Sequence, residues 1–203
     1  SKACVDDGWI KLVFKPKHFR GDDNIGIRSV GGLVDIDCDA PEVVAAAPHF
    51  LPETGAVYGR PNKPNAHWLY YSTFDRLVAY KDQSVSNEKA TLIEIRVNHQ
   101  SMAPPSIHPD GQRLAWRAPF TDAAHIDPDE LHRAVRLLAT EALVARHYNP
   151  PGNRHDWALA LCGVFRQLGL TELEVAKVFE HAAAWAKDFE VKDRLDAVRS
   201  SYN

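Results

Sequence analysis

The chain has 203 residues, 45% hydrophobic, 25% charged and 9% aromatic, with a formal net charge of -3. That is enough apolar material for one large or two small globular domains, and the charge excludes the strongly basic signature of a protein that grips duplex nucleic acid by charge alone, while leaving room for a local basic groove. Cys4, Cys38 and Cys162 are few, scattered and odd in number, which argues against a disulfide framework or thiolate zinc site and for a reducing cytoplasm. No apolar run approaches the ~18 residues of a membrane span, no charged and apolar leader opens the chain, and the start at Ser1 without Met suggests a fragment.

Residues 1–120 carry short β-branched and aromatic runs ("WIKLVF", "NIGIRSV", "GLVDID", "GAVYGR", "HWLYYS", "TLIEIRV") separated by Pro, Gly, Asn and Asp, and predict a sheet. "PEVVAAAPHFLP", residues 41–52, has Pro first and Ala in the middle, and predicts a short helix bounded by prolines. After "TDAAHIDPDE" the texture changes: Leu131, Val135, Leu138, Ala142 and Ala145 fall at helical spacing. "NPPGNRHD" interrupts it, and residues 157–168, 171–186 and 191–201 each read as an amphipathic helix. Gly169 stops one of these, and Thr171 with Glu174 makes a capping box for the next. The expected fold class is α+β, with a mostly antiparallel core over 1–126 and a helical bundle over 127–203.

In "GGLVDIDCDAPE" strand alternation turns Asp35, Asp37 and Asp39 to one side at steps of roughly 7 Å, and Val34, Ile36 and Cys38 to the other. Carboxylates that close repel one another unless a cation sits among them, and hard oxygen ligands favour magnesium or manganese. A solvated strand end is the competing reading. A calcium loop is rejected, because Ala40 and Ala46 stand where Gly and Glu are needed.

"GRPNKPNAHWLYY" gathers Arg60, Lys63 and His67 around two prolines, residue types suited to phosphate; alone, His67 reads rather as a packed strand histidine. "TLIEIRV" presents Glu94 and Arg96 on one face, or else an ordinary surface pair. "APPSIHPDGQRLAW" adds a proline-set loop with Ser106 and His108. "GIRSVGG" is no P-loop, since Gly32 stands where Lys is required, and no G-x-S-x-G is present.

In this order the segments resemble the archaeo-eukaryotic primase superfamily, in its bifunctional primase-polymerase branch of phages, plasmids and mobile elements. "LVDIDCD" is similar to the first motif, an apolar strand ending in Asp-x-Asp; Asn65-Ala66-His67 to the second, with Asn in place of the common Ser; and Glu94 in "LIEIR" to the third. The resemblance covers roughly residues 20–120, with a helical tail similar to the "GNRHD" bundle that often follows such cores.

The resemblance implies a nucleotidyltransferase that makes and extends primers on single-stranded DNA, using NTP or dNTP substrates and two Mg2+ or Mn2+ ions, in a prokaryotic cytoplasm. It implies metal ligands among Asp35, Asp37, Asp39 and Glu94, the aspartate pair being Asp35 with Asp37 or Asp37 with Asp39. Triphosphate contacts would come from Arg60, Lys63, Asn65, His67 and Arg96, with Ser106 and His108 completing the pocket. Lys15, Lys17, Arg20, Arg28 and Arg113, with Trp68 or Trp116 for stacking, would suit a single-stranded template. Arg154, His155 and Asp156 read as a helix cap or as part of a template site. Two other classes fit the same residues: a metal-dependent nuclease or phosphohydrolase, and a non-catalytic module that recruits a helicase.

Overall fold

The computed structural model describes residues 11–21, 23–119 and 121–203. It is α+β and mostly antiparallel. A two-stranded ribbon pairs β1 (Ile25–Arg28) with β7 (Gln100–Ala103). A seven-stranded sheet has the order β5 (Val78–Lys81), β6 (Thr91–Arg96), β2 (Leu33–Cys38), β4 (Lys63–Tyr71), β3 (Val57–Arg60), β8 (Ala115–Trp116), with β9 (Ala124–His125) beside β4. By compactness the chain forms two units, one of Ser1–Cys38, Glu53–Ala79 and Glu94–Pro128, the other of Asp39–Pro52, Tyr80–Ile93 and Asp129–Asn203.

In the first unit β2 runs antiparallel to β4 in a register from Leu33 opposite Tyr71 to Asp37 opposite His67. Val34, Ile36, Cys38, Trp68 and Tyr70, on one face, are all buried. On the other face Tyr58, Leu69, Ala103 and Leu114 form a cluster against which Ile27 and Met102 of the β1–β7 ribbon pack. The ribbon therefore covers the face that carries the aspartates, so β2 is buried on both sides: Asp35 is 1% exposed and Asp37 5%. A solvated strand end is ruled out for these two.

The expected strand over "WIKLVF" does not form in its described part. Residues 9 and 10 lie outside the described residues, while Lys11 to Phe14 are exposed and adopt no strand, and Pro16 opens a 3-10 turn, Pro16–His18. An apolar run without a ladder partner gains nothing from extension. Cys4 also lies outside the described residues; Cys38 and Cys162 are buried free thiols.

The second unit contains α1 (Pro41–Phe50), α2 (Pro128–Arg146, from its second residue), α3 (Arg154–Gln167), α4 (Glu172–Trp185) and α5 (Val191–Tyr202). Pro41 occupies the first turn of α1, and Pro48 lies in its last turns. The α2 residues at helical spacing, Leu131, Val135, Leu138, Ala142 and Ala145, are all buried. Helices α3 and α4 both pack on α5. Gly169, at φ +78°, follows α3, and the Thr171/Glu174 capping box is formed at α4. Among the described residues no helix is long and apolar enough to cross a membrane.

Candidate active site

The site is built on β2, β4 and β6. Asp35 turns both carboxylate oxygens to His67 Nδ1, at 3.1 and 3.2 Å, and Ser101 Oγ donates a short hydrogen bond to Asp35 Oδ2. The imidazole lies flat on the Tyr58 ring, with centroids 4.6 Å apart and planes 10° apart. His67 Nε2 is 3.7 Å from Asp37 Oδ1. Arg96 bridges two acids: Nη1 reaches Asp37 Oδ2 at 2.6 Å, while Nη2 and Nε reach Glu94 Oε2 at 2.7 and 2.8 Å. Lys63 Nζ stands 3.9 Å from Asp37 Oδ1.

Asp37, Asp39 and Glu94 each offer a carboxylate oxygen, all within 4.8 Å of one another. Asp39 lies one residue past the end of β2, and its backbone N–H donates to the Leu92 carbonyl. Asp35 is not in this group of three; its oxygens face His67 and Ser101. So the three aspartates, equivalent by alternation, divide into one that holds a histidine and two that converge with Glu94.

The electrostatics follow from burial and neighbours. Burial opposes the Asp35 charge, yet His67, Ser101 and Arg96 outweigh it and hold the carboxyl below its usual range. Burial likewise opposes the imidazolium, but Asp35 and Asp37 raise His67 above its ordinary value. Burial and the same two acids push the Tyr58 phenol well above the usual tyrosine range. Arg96 is raised, with Asp37 and Glu94 overcoming its desolvation.

The β3–β4 turn is shaped by Gly59, where a Cβ would drive into the backbone of Lys63 and Asn65. Asn65 takes φ +53°, a left-handed conformation that Asn tolerates better than most residues. Its carbonyl accepts from Trp68 Nε1 at 2.8 Å. Trp68 is 1% exposed, so the stacking role considered for it is corrected: the ring is core, lying under Arg117. Trp116 is half-buried, edge-on to Tyr58.

Ser106 and His108 lie in a loop that grips this turn. Arg60 Nε binds Asp110 at 3.0 Å, His108 Nδ1 is 2.9 Å from the same carboxylate, and the Asn62 N–H donates to Gln112 Oε1 at 2.8 Å. The Ser106 hydroxyl accepts from the Ile25 N–H at 2.7 Å and returns a bond to the Ile25 carbonyl, so it ties the loop to β1. Lys15, Lys17 and Arg20 are exposed, and Arg113 donates to the Pro105 carbonyl. In the helical unit Arg154 binds Asp188 at 2.9 Å and His155 binds Asp193 at 2.9 Å; Asp156 lies in the first turn of α3.

Tyr58 and Ser101 were not legible as site residues. Ser101 stands 66 positions from Asp35, with no local pattern to link the two.

The α+β, mostly antiparallel core thus brings together carboxylates of Asp37, Asp39 and Glu94 that could hold a metal ion, with Arg96 and Lys63 beside them. Residues 7–133, more than half of the chain, match the family model described as bifunctional DNA primase/polymerase, N-terminal, and the chain belongs to that family of nucleotidyltransferases. No curated protein and no solved structure matches the chain.

Proposed function

We propose that this domain is a DNA primase and polymerase that makes and extends primers on a single-stranded DNA template. The observation that carries the reading is the convergence of Asp37, Asp39 and Glu94 within 4.8 Å, beside Arg96 and Lys63. The donor set consists only of hard carboxylate oxygens, which fits magnesium or manganese and does not suit a thiolate-seeking metal. Asp37, Asp39 and Glu94 would hold a pair of such ions, whose chemistry there is to activate a primer 3′-hydroxyl and to neutralise the triphosphate.

The protein's own share is placement. Lys63 supplies a point charge to the phosphates. His67, with Nδ1 donating to Asp35, has Nε2 on the Asp37 side, and as the imidazolium it donates from Nε2 to a phosphate oxygen. Arg96 holds Asp37 and Glu94 in position and offsets their repulsion. Arg60, on the same turn as Lys63, is the outer cation, paired with Asp110 until a nucleotide competes for it. In the reaction the primer 3′-oxygen bonds to the α-phosphorus, the bond from that phosphorus to the bridging oxygen breaks, and pyrophosphate leaves.

Primer extension on a single-stranded template with manganese, run with dNTPs and with NTPs, tests this. The expected result is elongation by the parent and none by Asp37→Ala. Equal activity of the two proteins sinks the reading, and net shortening of a labelled strand without nucleotides would assign the site to a nuclease.

A further inference from the structure

Three identical residues occupy alternate positions of one strand segment, yet the surroundings of Asp35 differ in kind from those of Asp37 and Asp39. Asp35 is the most buried acid of the site, at 1% exposure, and it sits opposite Leu69 in the register of β2 with β4. A carboxylate there is stable only when donors saturate it. Two supply that role: the His67 ring at Nδ1 and the Ser101 hydroxyl from β7 of the covering ribbon.

We propose that Asp35 is the positioning residue of His67 and no ligand of the metal, and that Ser101 fixes Asp35 in turn. The inference rests on the reading above in which His67 faces a nucleotide phosphate. Three contacts determine the imidazole. Asp35 accepts from Nδ1 and so settles which ring nitrogen carries that hydrogen, Tyr58 stacks on the ring and sets its plane, and Nε2 is left on the side of Asp37. Ser101 matters because Asp35 lies behind the ring; without the hydroxyl from β7, the carboxylate loses the contact that holds Oδ2 against the ribbon. The first aspartate of the trio thus acts on the phosphate through the histidine, and the second and third act with Glu94.

The test reads the ring itself. Long-range 1H–15N correlation on metal-free protein is expected to show a hydrogen on His67 Nδ1 in the parent and in Asp35→Asn, whose amide oxygen still accepts. In Asp35→Ala, at a pH where the ring is neutral, that hydrogen is no longer held and the ring exchanges between tautomers. In primer extension, Asp35→Ala is expected to raise the nucleotide KM roughly tenfold or more with a smaller change in kcat, the range typical when the partner orienting a functional histidine is lost. Ser101→Ala falls between parent and Asp35→Ala, and Asp35→Asn restores most of the loss. Manganese affinity stays within about twofold of the parent in Asp35→Asn, against a loss of at least tenfold in Asp37→Asn.

A parent His67 lacking a hydrogen on Nδ1 overturns the proposal. So does an Asp35→Asn protein that loses manganese as fully as Asp37→Asn, since Asp35 would then be a ligand. Should Asp35→Ala not fold, the parent spectrum and the isosteric Asn variant decide alone. Failure of the polymerase reading is distinguishable: the parent would then show no extension, or Asp37→Asn would extend as well as the parent, whatever the His67 spectrum shows.

Discussion

Asp188 in the helices and the acids at the end of β2 are treated in opposite ways. In the helical unit Asp188 receives Arg154 at 2.9 Å, Arg194 at 3.0 Å, the Tyr148 hydroxyl at 2.9 Å and the Glu190 N–H at 3.1 Å. Arg194 is itself only 3% exposed at its side chain. That acid is surrounded by donors and is part of the framework. On β2, just past its end and on β6, by contrast, Asp37, Asp39 and Glu94 bring carboxylate oxygens within 4.8 Å of one another, and Arg96 bridges Asp37 and Glu94. Acids crowded in this way repel one another, and the group could hold a metal ion, the role proposed for it above.

The largest expected effect breaks this contrast most sharply. Asp37→Asn should abolish primer extension by at least ~10³-fold, as for loss of a metal or transition-state contact. Its folding stability should change by no more than about 1 kcal/mol, because relief of repulsion from Asp39 and Glu94 offsets the lost Arg96 pair. Asp188→Ala should do the reverse. Leaving Arg194 buried without its acid is expected to cost about 3–5 kcal/mol in urea unfolding of the helical unit. Extension per folded molecule is the control for that variant.

Glu141 sharpens the comparison from a third direction. It is 1% exposed on α2, its Oε2 lacks a hydrogen-bond partner among the described residues, and burial with the nearby Glu42 pushes its carboxyl up to about 8. Because the folded value lies above that of the unfolded chain, the contribution to stability is complete below about pH 4.5 and is lost as pH rises toward 8. Relative to Glu141→Gln, the parent should therefore lose on the order of 2–3 kcal/mol between pH 5 and pH 8. A constant difference across that range would show that Glu141 is solvated. The smallest effect expected is at Gly59, where Ala should cost about 1–2 kcal/mol and raise the nucleotide KM by displacing the Lys63 turn.

The helices were largely legible because their signals are local. Leu131, Val135 and Leu138 repeat at helical spacing, and Gly169 and Thr171 mark ends that the backbone itself enforces. The β2 alternation was legible for the same reason, and Val34, Ile36 and Cys38 are wholly buried on one face. The division of labour among Asp35, Asp37 and Asp39 was not, since the three differ only in what the register with β4 and the β1–β7 ribbon brings beside them. "WIKLVF" has strand composition without a partner among the described residues, whereas Lys63, Pro64 and Asn65, which precede the apolar run "HWLYYS", are the first residues of β4. Composition reports what a segment tolerates, and pairing decides what it becomes.

The central claim is that carboxylates of two strands jointly bind a divalent cation, and manganese titration followed by the electron paramagnetic signal of the free ion tests it most directly. The account expects saturable binding by the parent and at least tenfold weaker binding by Glu94→Gln, since the acid from β6 supplies one of three converging oxygens. Equal binding by parent and Glu94→Gln would contradict it.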